Sequence, residues 1–376
     1  MRTSGPLCVR GCARMQQRDE TSQPNAPRDM ARAMVTEPSR TDRRFRVAVL
    51  GATGAVGRKM LEVLAERRLA ASEVRALASP RSAGSTVAYG DRTLVVAPVS
   101  EAAFDGVDVA LFSAGSGPSK EWGPIAAAKG ALVIDNSSAW RMDADVPLCV
   151  PEVNLDAARV RPRGIVANPN CSTIQMLVAL GPLHRVARIR RIVVSTYQAI
   201  SGAGAQAVDH FRAQSRAFAA GDPMPKGAIS KQLAGSLLME WKRDVNVGYQ
   251  EEELKMIHET RKILCDPEIR VSPTTVRVPV VNGHSESIAI ELERPMSATE
   301  ARAILERAPG VRVVDDFASG VYPTPLDADG EDDVLVGRIR EDLGHPGGLL
   351  LWVVGDNLRK GAATNAVQIA EGLLSH

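Results

Sequence analysis

The sequence predicts an α/β chain: a doubly wound parallel sheet first, then an α+β domain with a largely antiparallel sheet. Three observations carry this. A glycine-rich turn, Gly51-Ala52-Thr53-Gly54-Ala55-Val56-Gly57, follows an apolar strand-like run and precedes a helical pattern. Apolar runs then alternate with helical segments, the signature of a parallel sheet covered on both faces. From Arg188 onward several β-rich runs occur with fewer helices between them, as antiparallel sheets require.

Taken in order, residues 1–44 are rich in Arg, Pro, Gln, Asp, Thr and Ser, lack hydrophobic periodicity and predict a disordered extension. They hold no apolar core for a secretory signal, and Asp19, Glu20, Asp29 and Glu37 count against a transit peptide. Met30 and Met34 leave room for a later start. The strand Phe45-Arg46-Val47-Ala48-Val49-Leu50 leads into glycines 51, 54 and 57 and a helix expected over 58–68. That spacing is a variant of the dinucleotide fingerprint, in which glycines admit a pyrophosphate and a helix N-terminus meets its charge. A plain connecting turn is the alternative.

A second strand over 74–78 ends at Ser79-Pro80-Arg81-Ser82-Ala83-Gly84. Chains that select NAD usually place a carboxylate here, whereas Arg81 and Ser82 suit a 2′-phosphate and hence NADP. An ordinary loop arginine is the other reading. Strands over 107–112 and 131–135, with a helix to about 129 between them, continue the alternation. Arg141 follows in Asn136-Ser137-Ser138-Ala139-Trp140-Arg141, placed either to bind an anion beyond the strand ends or to sit in solvent.

Asn168-Pro169-Asn170-Cys171-Ser172-Thr173 then precedes a long apolar helical pattern, so Cys171 should head a helix. The positive end of a helix favours a thiolate. A small buried residue at an ordinary helix start is the competing view.

In the second half, Ile192 to Gln198 reads as a strand, Ser201-Gly202-Ala203-Gly204 as a tight loop, and 205–219 and 231–243 as helical. Strands are expected over 274–278, 285–292 and 334–340. The charged run from Glu251 to Thr260 reads as an exposed helix. Arg277-Val278-Pro279-Val280-Val281-Asn282-Gly283-His284 reads as a hairpin bringing Arg277 and His284 toward one cleft, His284 being structural or catalytic. A strand over 349–354, the turn Gly355-Asp356-Asn357-Leu358 and a helix over 360–374 close the chain, with Gly361, Ala362 and Ala363 small enough for tight packing.

The 376 residues suffice for two domains, and 44% hydrophobic with 24% charged residues describe an ordinary soluble protein. A net charge of +2 argues against nucleic acid, and no apolar run approaches the ~18 residues that cross a bilayer. Five scattered cysteines, Cys8, Cys12, Cys149, Cys171 and Cys265, argue for a reducing compartment, and no cysteine and histidine spacing suggests a metal.

These patches, in order, resemble the aspartate-β-semialdehyde dehydrogenases. The marks are Thr53 to Gly57, Arg81 to Gly84, Asn168 to Thr173, Gln198 with Ser201 to Gly204, Glu251 to Met256, Arg277-Val278-Pro279 with His284-Ser285-Glu286, and Gly355 to Gly361. The resemblance covers nearly everything from Arg46 on; the N-terminal extension departs from the family pattern. It implies a Rossmann-type NADP-binding domain over 45–170 and 350–376 and a catalytic and dimerisation domain over 171–349, the whole like glyceraldehyde-3-phosphate dehydrogenase. It further implies a cytoplasmic homodimer without a metal.

The implied reaction is reductive dephosphorylation of L-aspartyl-4-phosphate to aspartate semialdehyde, serving lysine, diaminopimelate, threonine, methionine and isoleucine biosynthesis. Cys171 attacks the acyl phosphate, hydride from NADPH reduces the thioester, and His284 manages the proton on the tetrahedral oxygen. Gln198 positions the substrate, Arg277 grips its α-carboxylate and Glu252 its amino group. Arg141 and Lys255 bind the phosphate, and Asn170 orients the acyl group. Gly51, Thr53, Gly54, Ala55, Val56, Arg81, Ser82, Ser201, Gly202 and Asn357 fall to the cofactor. The rivals are an N-acetyl-glutamyl-phosphate reductase, which has no need of Glu252, and a silent nucleotide-binding homologue, which has no reason to keep Cys171, Gln198, Arg277 and His284 together.

Overall fold

The structure, a computed structural model, describes residues 44–67, 69–239, 243–244 and 247–374. The extension expected over 1–44 lies outside them except for Arg44. The first half contains β1 (Phe45–Leu50), α1 (Ala55–Glu66), β2 (Ala71–Ala78), β3 (Thr86–Tyr89), β4 (Arg92–Val95), β5 (Ala97–Pro98), β6 (Val109–Phe112), α2 (Ser116–Ala128), β7 (Leu132–Asp135), α3 (Pro151–Asn154) and β8 (Ile165–Ala167). A six-stranded sheet runs β5-β2-β1-β6-β7-β8, every pairing parallel. Val47 and Val49 of β1 share a core with Met60, Leu61 and Val367, while Ala48 and Leu50 face the opposite core. Burial on both faces is why these strands read as unbroken apolar runs.

The chain continues through α4 (Cys171–Ala187), β9 (Ile189–Gln198), α5 (Ala205–Ala220), β10 (Arg243–Asp244), β11 (Tyr249–Gln250), α6 (Glu251–Ile263), β12 (Arg270–Arg277), β13 (His284–Leu292), α7 (Ala298–Leu305), β14 (Val311–Val313), α8 (Pro325–Ala328), β15 (Val334–Glu341), β16 (Leu349–Gly355) and α9 (Thr364–Leu374). The second sheet runs β12-β9-β13-β16-β15-β14. Its central pairings are antiparallel, and parallel pairs close both edges.

Between the sheets lies α4. Every residue from Ser172 to Leu183 is buried, so the helix has no solvent face over that stretch and must be covered all round there. Its Ile174, Met176 and Leu177 share one core with Ala48 and Leu50 of the first sheet and Ile192 and Ile288 of the second. Cys171, at its head, is therefore held from both sides.

Several sequence expectations change. β12 and β13 form no hairpin, because β9 lies between them, parallel to one and antiparallel to the other. Residues 278–283 instead cross the end of β9, with Val278 N donating to Gln198 O at 3.0 Å and Ser201 N to Val281 O at 3.0 Å. Residues 231–239 are loop rather than helix: Gly235 takes φ +74°, Leu238 bridges Arg277, and the Gln214 side chain holds Leu233 N. Glu240, Trp241 and Lys242 lie outside the described residues.

Helix α6 is not simply exposed. Glu252, Met256, Glu259, Thr260 and Ile263 form a buried stripe at helical spacing. The boundary expected at 350 falls within β16, a strand of the second sheet, and the chain returns to the first sheet's core only from Ala363 on, through α9. The start of the helix expected over 360–374 is instead a π-turn, Arg359–Ala363, before α9.

Candidate active site

Asn170 is the N-cap of α4, its Oδ1 accepting from Ser172 N at 3.1 Å and Thr173 N at 3.2 Å. The preceding loop is tied down by Asn168, whose Nδ2 donates to Asn136 Oδ1 at 2.7 Å and whose Oδ1 accepts from Asn365 Nδ2 at 2.6 Å. The small residues after β16 pack as expected for tight contact. A Cβ on Gly361 would stand 2.9 Å from the Cys171 Cβ, so glycine there makes room for the nucleophile candidate.

The thiolate expected at this helix end is opposed by burial. Cys171 keeps some accessible surface, but burial pushes its thiol up to about 12, and Glu252 adds to the rise. Arg277, Arg141 and the Ser172 N–H pull the other way without prevailing. Desolvation of an anion here outweighs the helix end.

Two carboxylates organise one wall. Glu259, 1% exposed, accepts from Arg141 Nη1 at 3.0 Å and from Asn170 N at 2.7 Å. Arg141 also donates to Ser137 O and Asn136 O, so its guanidinium is fixed in place. One helical turn from Glu259, Lys255 reaches Glu252 at 3.3 Å and Glu251 at 3.0 Å. Burial opposes the Lys255 charge, yet Glu252 and Glu251 hold its pKa above the usual lysine value. Glu252 accepts from Asn170 Nδ2 at 2.6 Å. The stripe on α6 thus links Arg141, Lys255 and Glu252 to the cap of the Cys171 helix.

The opposite wall comes from the strand ends of the second sheet. Gln198 Nε2 donates to Ser172 Oγ at 2.8 Å, and Arg277, its register partner on β12, donates to Ala199 O. His284 Nδ1 accepts from Ala199 N at 3.0 Å, and Nε2 is buried without a partner. Burial, and then Arg277, hold the His284 pKa well below the usual histidine value. A Cβ on Gly202 would lie 3.4 Å from Arg277 Nη1 and 3.6 Å from His284 Nε2, so this glycine adjoins both. Ser201 Oγ donates to Asn282 Oδ1 at 2.9 Å and accepts from Asn357 Nδ2 at 2.8 Å, while Asn357 Oδ1 accepts from Gly283 N at 3.0 Å. Ser201, Gly202 and Asn357 therefore gather around His284.

The remaining sequence-selected residues lie beyond the carboxyl end of β1. Gly51 has φ +87°, and a Cβ there would meet Ser113 O at 2.4 Å; one on Gly57 would meet Gly51 O at 2.1 Å. The turn is pressed against β6 at the position where strand order reverses, with Gly54 capping α1 and no side chain occupying its first N–H groups. A pyrophosphate fits such a cradle. Thr53 O is held by Arg58 Nε at 3.1 Å, and Ala55 and Val56 open the helix. Arg81 is exposed and makes no ion pair among the described residues, and Ser82 follows it, as a 2′-phosphate site needs.

Sequence reasoning missed Glu259 and Glu286. Glu259 was readable as the member of the Glu252, Met256, Ile263 stripe one turn beyond Met256. Glu286 lies two residues along β13 from His284 on the same face, fully buried beneath Gln175 of α4. Neither carboxyl oxygen closes a hydrogen bond of normal geometry, although Gln175 lies near enough to ease the burial in part. Burial raises this carboxyl well above the ordinary carboxylate range. Below that range folded and unfolded chains both hold the proton; above it only the folded chain does. Stability contributed by this group is thus present in acid and lost as pH rises, by up to about 1.4 kcal/mol per pH unit until the folded group ionises. Glu286→Gln is expected to flatten that loss when denaturant unfolding is followed from mildly acid to mildly alkaline pH; an unchanged slope would refute it.

Among the described residues no cluster of metal-ligating side chains occurs, and no helix is long and apolar enough to cross a membrane. The fold and site define a two-domain dehydrogenase. Residues 46–160 match the family model of the semialdehyde dehydrogenase NAD-binding domain, and residues 180–360 that of the semialdehyde dehydrogenase dimerisation domain. Aspartate-semialdehyde dehydrogenase of Aquifex aeolicus is 53% identical over 88% of this chain and 98% of its own length, and that of Legionella pneumophila 50% identical over 88% and 95%. The chain belongs to the aspartate-semialdehyde dehydrogenase family. Among solved structures, aspartate semialdehyde dehydrogenase II of Vibrio cholerae complexed with ASA superposes with a TM-score of 0.86 at 48% identity, covering 89% of this chain and 99% of that one. The Candida albicans enzyme with NADP gives 0.69 at 25% identity, covering 88% and 98%.

Proposed function

We propose that this chain converts L-aspartyl-4-phosphate to aspartate semialdehyde through a thioester on Cys171. The observation that carries the reading is the meeting, around one buried helix head, of a thiol with carboxylate, guanidinium and ammonium groups from both sides. An acyl phosphate is already electrophilic, so its capture needs a sulfur nucleophile and cations for the departing phosphate. Arg141 and Lys255 supply those cations. Arg277 suits bidentate capture of the α-carboxylate, and Glu252 suits the α-ammonium. Gln198 and Asn170 hold the acyl group over Cys171, and His284 faces its oxygen.

The glycine turn after β1, Thr53, Ala55, Val56, Arg81, Ser82, Ser201, Gly202 and Asn357 would hold the NADP cofactor, whose reduced form, NADPH, would supply hydride to the thioester and leave as NADP⁺. The NADP reading rests on the cradle, on Arg81 and on the cofactor named for the Candida albicans relative. The domains are assigned as a nucleotide-binding part, 45–170 with the last helix, and a catalytic part between. A cytoplasmic homodimer in amino-acid biosynthesis completes the reading. The dimer is supported by the match to the family's dimerisation domain.

The test is phosphate-dependent reduction of NADP with aspartate semialdehyde, run beside N-acetyl-glutamate semialdehyde. Activity confined to the first substrate is the expected result. Activity confined to the second would replace the assignment, and none on either would favour a silent homologue.

A further inference from the structure

We infer that Lys262 is a positioning residue for the phosphate: it fixes the backbone of the loop that carries Arg141, so that Arg141 is strung between two points on one helix. The inference rests on the acyl-phosphate reading above and deepens it by adding a residue that acts without touching the substrate.

Lys262 stands in the last turn of α6, where a basic side chain would ordinarily serve the carbonyl end of its own helix. It turns instead to the first domain. Its Nζ donates to Arg141 O at 2.7 Å, to Asp143 O at 2.7 Å and to Val146 O at 2.8 Å. An ammonium has three N–H donors, and these contacts use all of them. None is left for an anion.

The loop has few ties of its own. After β7, residues 136–146 run in bends and turns, with Asp143 N donating to Trp140 O at 3.1 Å and Val146 N to Asp143 O at 3.2 Å. Neither bond holds the Arg141 carbonyl. On the outer side Arg163 closes the turn, with Nη1 at 2.8 Å from Asp143 Oδ2 and 3.3 Å from Asp145 Oδ1, and its guanidinium lies 4.5 Å over the Trp140 ring. Arg163 thus grips the side chains of the loop, and Lys262 its backbone.

Glu259, three residues before Lys262 on the same face of α6, takes the other end of Arg141. It accepts from Nη1, while Nε and Nη2 donate to Ser137 O and Asn136 O. Three of the five guanidinium N–H groups are thereby occupied. One on each terminal nitrogen remains, the pair that meets a phosphate in bidentate fashion. The direction of that pair is set by where the residue is held, its carbonyl by Lys262 and its guanidinium by Glu259. Removing the Lys262 ammonium frees the backbone end, and misplacing a positioning group by about 1 Å costs up to about 100-fold.

The experiment is a double-mutant cycle on the full chain, Lys262→Met against Arg141→Ala, read as the KM for phosphate and the KM for the semialdehyde in NADP reduction, with whichever semialdehyde supports turnover. Lys262→Met is expected to raise the KM for phosphate about tenfold and to leave that for the semialdehyde within about twofold. In the Arg141→Ala background the same substitution should change the KM for phosphate by less than about twofold, because Lys262 acts only through Arg141. Should Lys262→Met not fold, Lys262→Gln is read in the same way. An unchanged KM for phosphate, an equal rise in both constants, or a full tenfold increment in the Arg141→Ala background overturns the inference; the second outcome marks a merely structural lysine and the third a direct pull of its charge on phosphate. Wild-type turnover that needs no phosphate would sink the acyl-phosphate reading and this inference with it, whereas phosphate-dependent wild type with an unaffected Lys262→Met sinks the inference alone.

Discussion

Cys171→Ser is expected to lower turnover with aspartate semialdehyde, phosphate and NADP by about 10⁴-fold or more, the scale of losing a covalent nucleophile. Serine keeps the volume and the helix cap but supplies a far weaker nucleophile and would form an ester, a poorer hydride acceptor than a thioester. NADP binding should be nearly unchanged, because the cradle after β1 is built by Gly51, Gly54 and Gly57 and does not use the sulfur. Fluorescence titration with NADPH separates the two outcomes. Substantial turnover in the variant would refute the thioester.

The second large effect is at Glu259. Its two oxygens join Arg141 to the cap of the Cys171 helix, and it is 1% exposed. Glu259→Ala removes one partner of a buried ion pair and should cost about 3–5 kcal/mol of stability. Glu259→Gln keeps the volume but turns an NH₂ group toward either Arg141 or Asn170 N–H, both donors. In that variant the KM for phosphate should rise about tenfold, equivalent to about 1.4 kcal/mol of binding, while the KM for the semialdehyde changes little. A purely structural residue would not produce that split. Equal changes in both constants would refute a role in placing Arg141.

The reading of α6 shows where sequence reasoning stopped. Residues 251–260 read as a solvated face because charge dominates the run, and charge alone does not say which side of a helix is covered. The stripe of Glu252, Met256, Glu259 and Ile263 had the right period, but buried carboxylates look like surface ones until Arg141 and Asn170 are set against them. The hairpin expected at Arg277 and His284 failed for a related reason. Local turn chemistry marked Asn282-Gly283 as the break between strands, and Gly283 does take φ +87°, but the strand that fills the gap, β9, comes from some eighty residues earlier.

By itself the sequence determined the alternating architecture, the glycine cradle, the place of Cys171 at a helix head and the family marks around it, because each depends on residues close together in the chain. Tertiary structure alone decided the state of the site. Enclosing α4 between two sheets desolvates Cys171 and pushes its thiol's pKa up, and a backbone amide at Ala199 donates to His284 Nδ1. Burial and hydrogen-bond direction are properties of what surrounds a group, and here the surroundings come from strands and helices scattered along the chain.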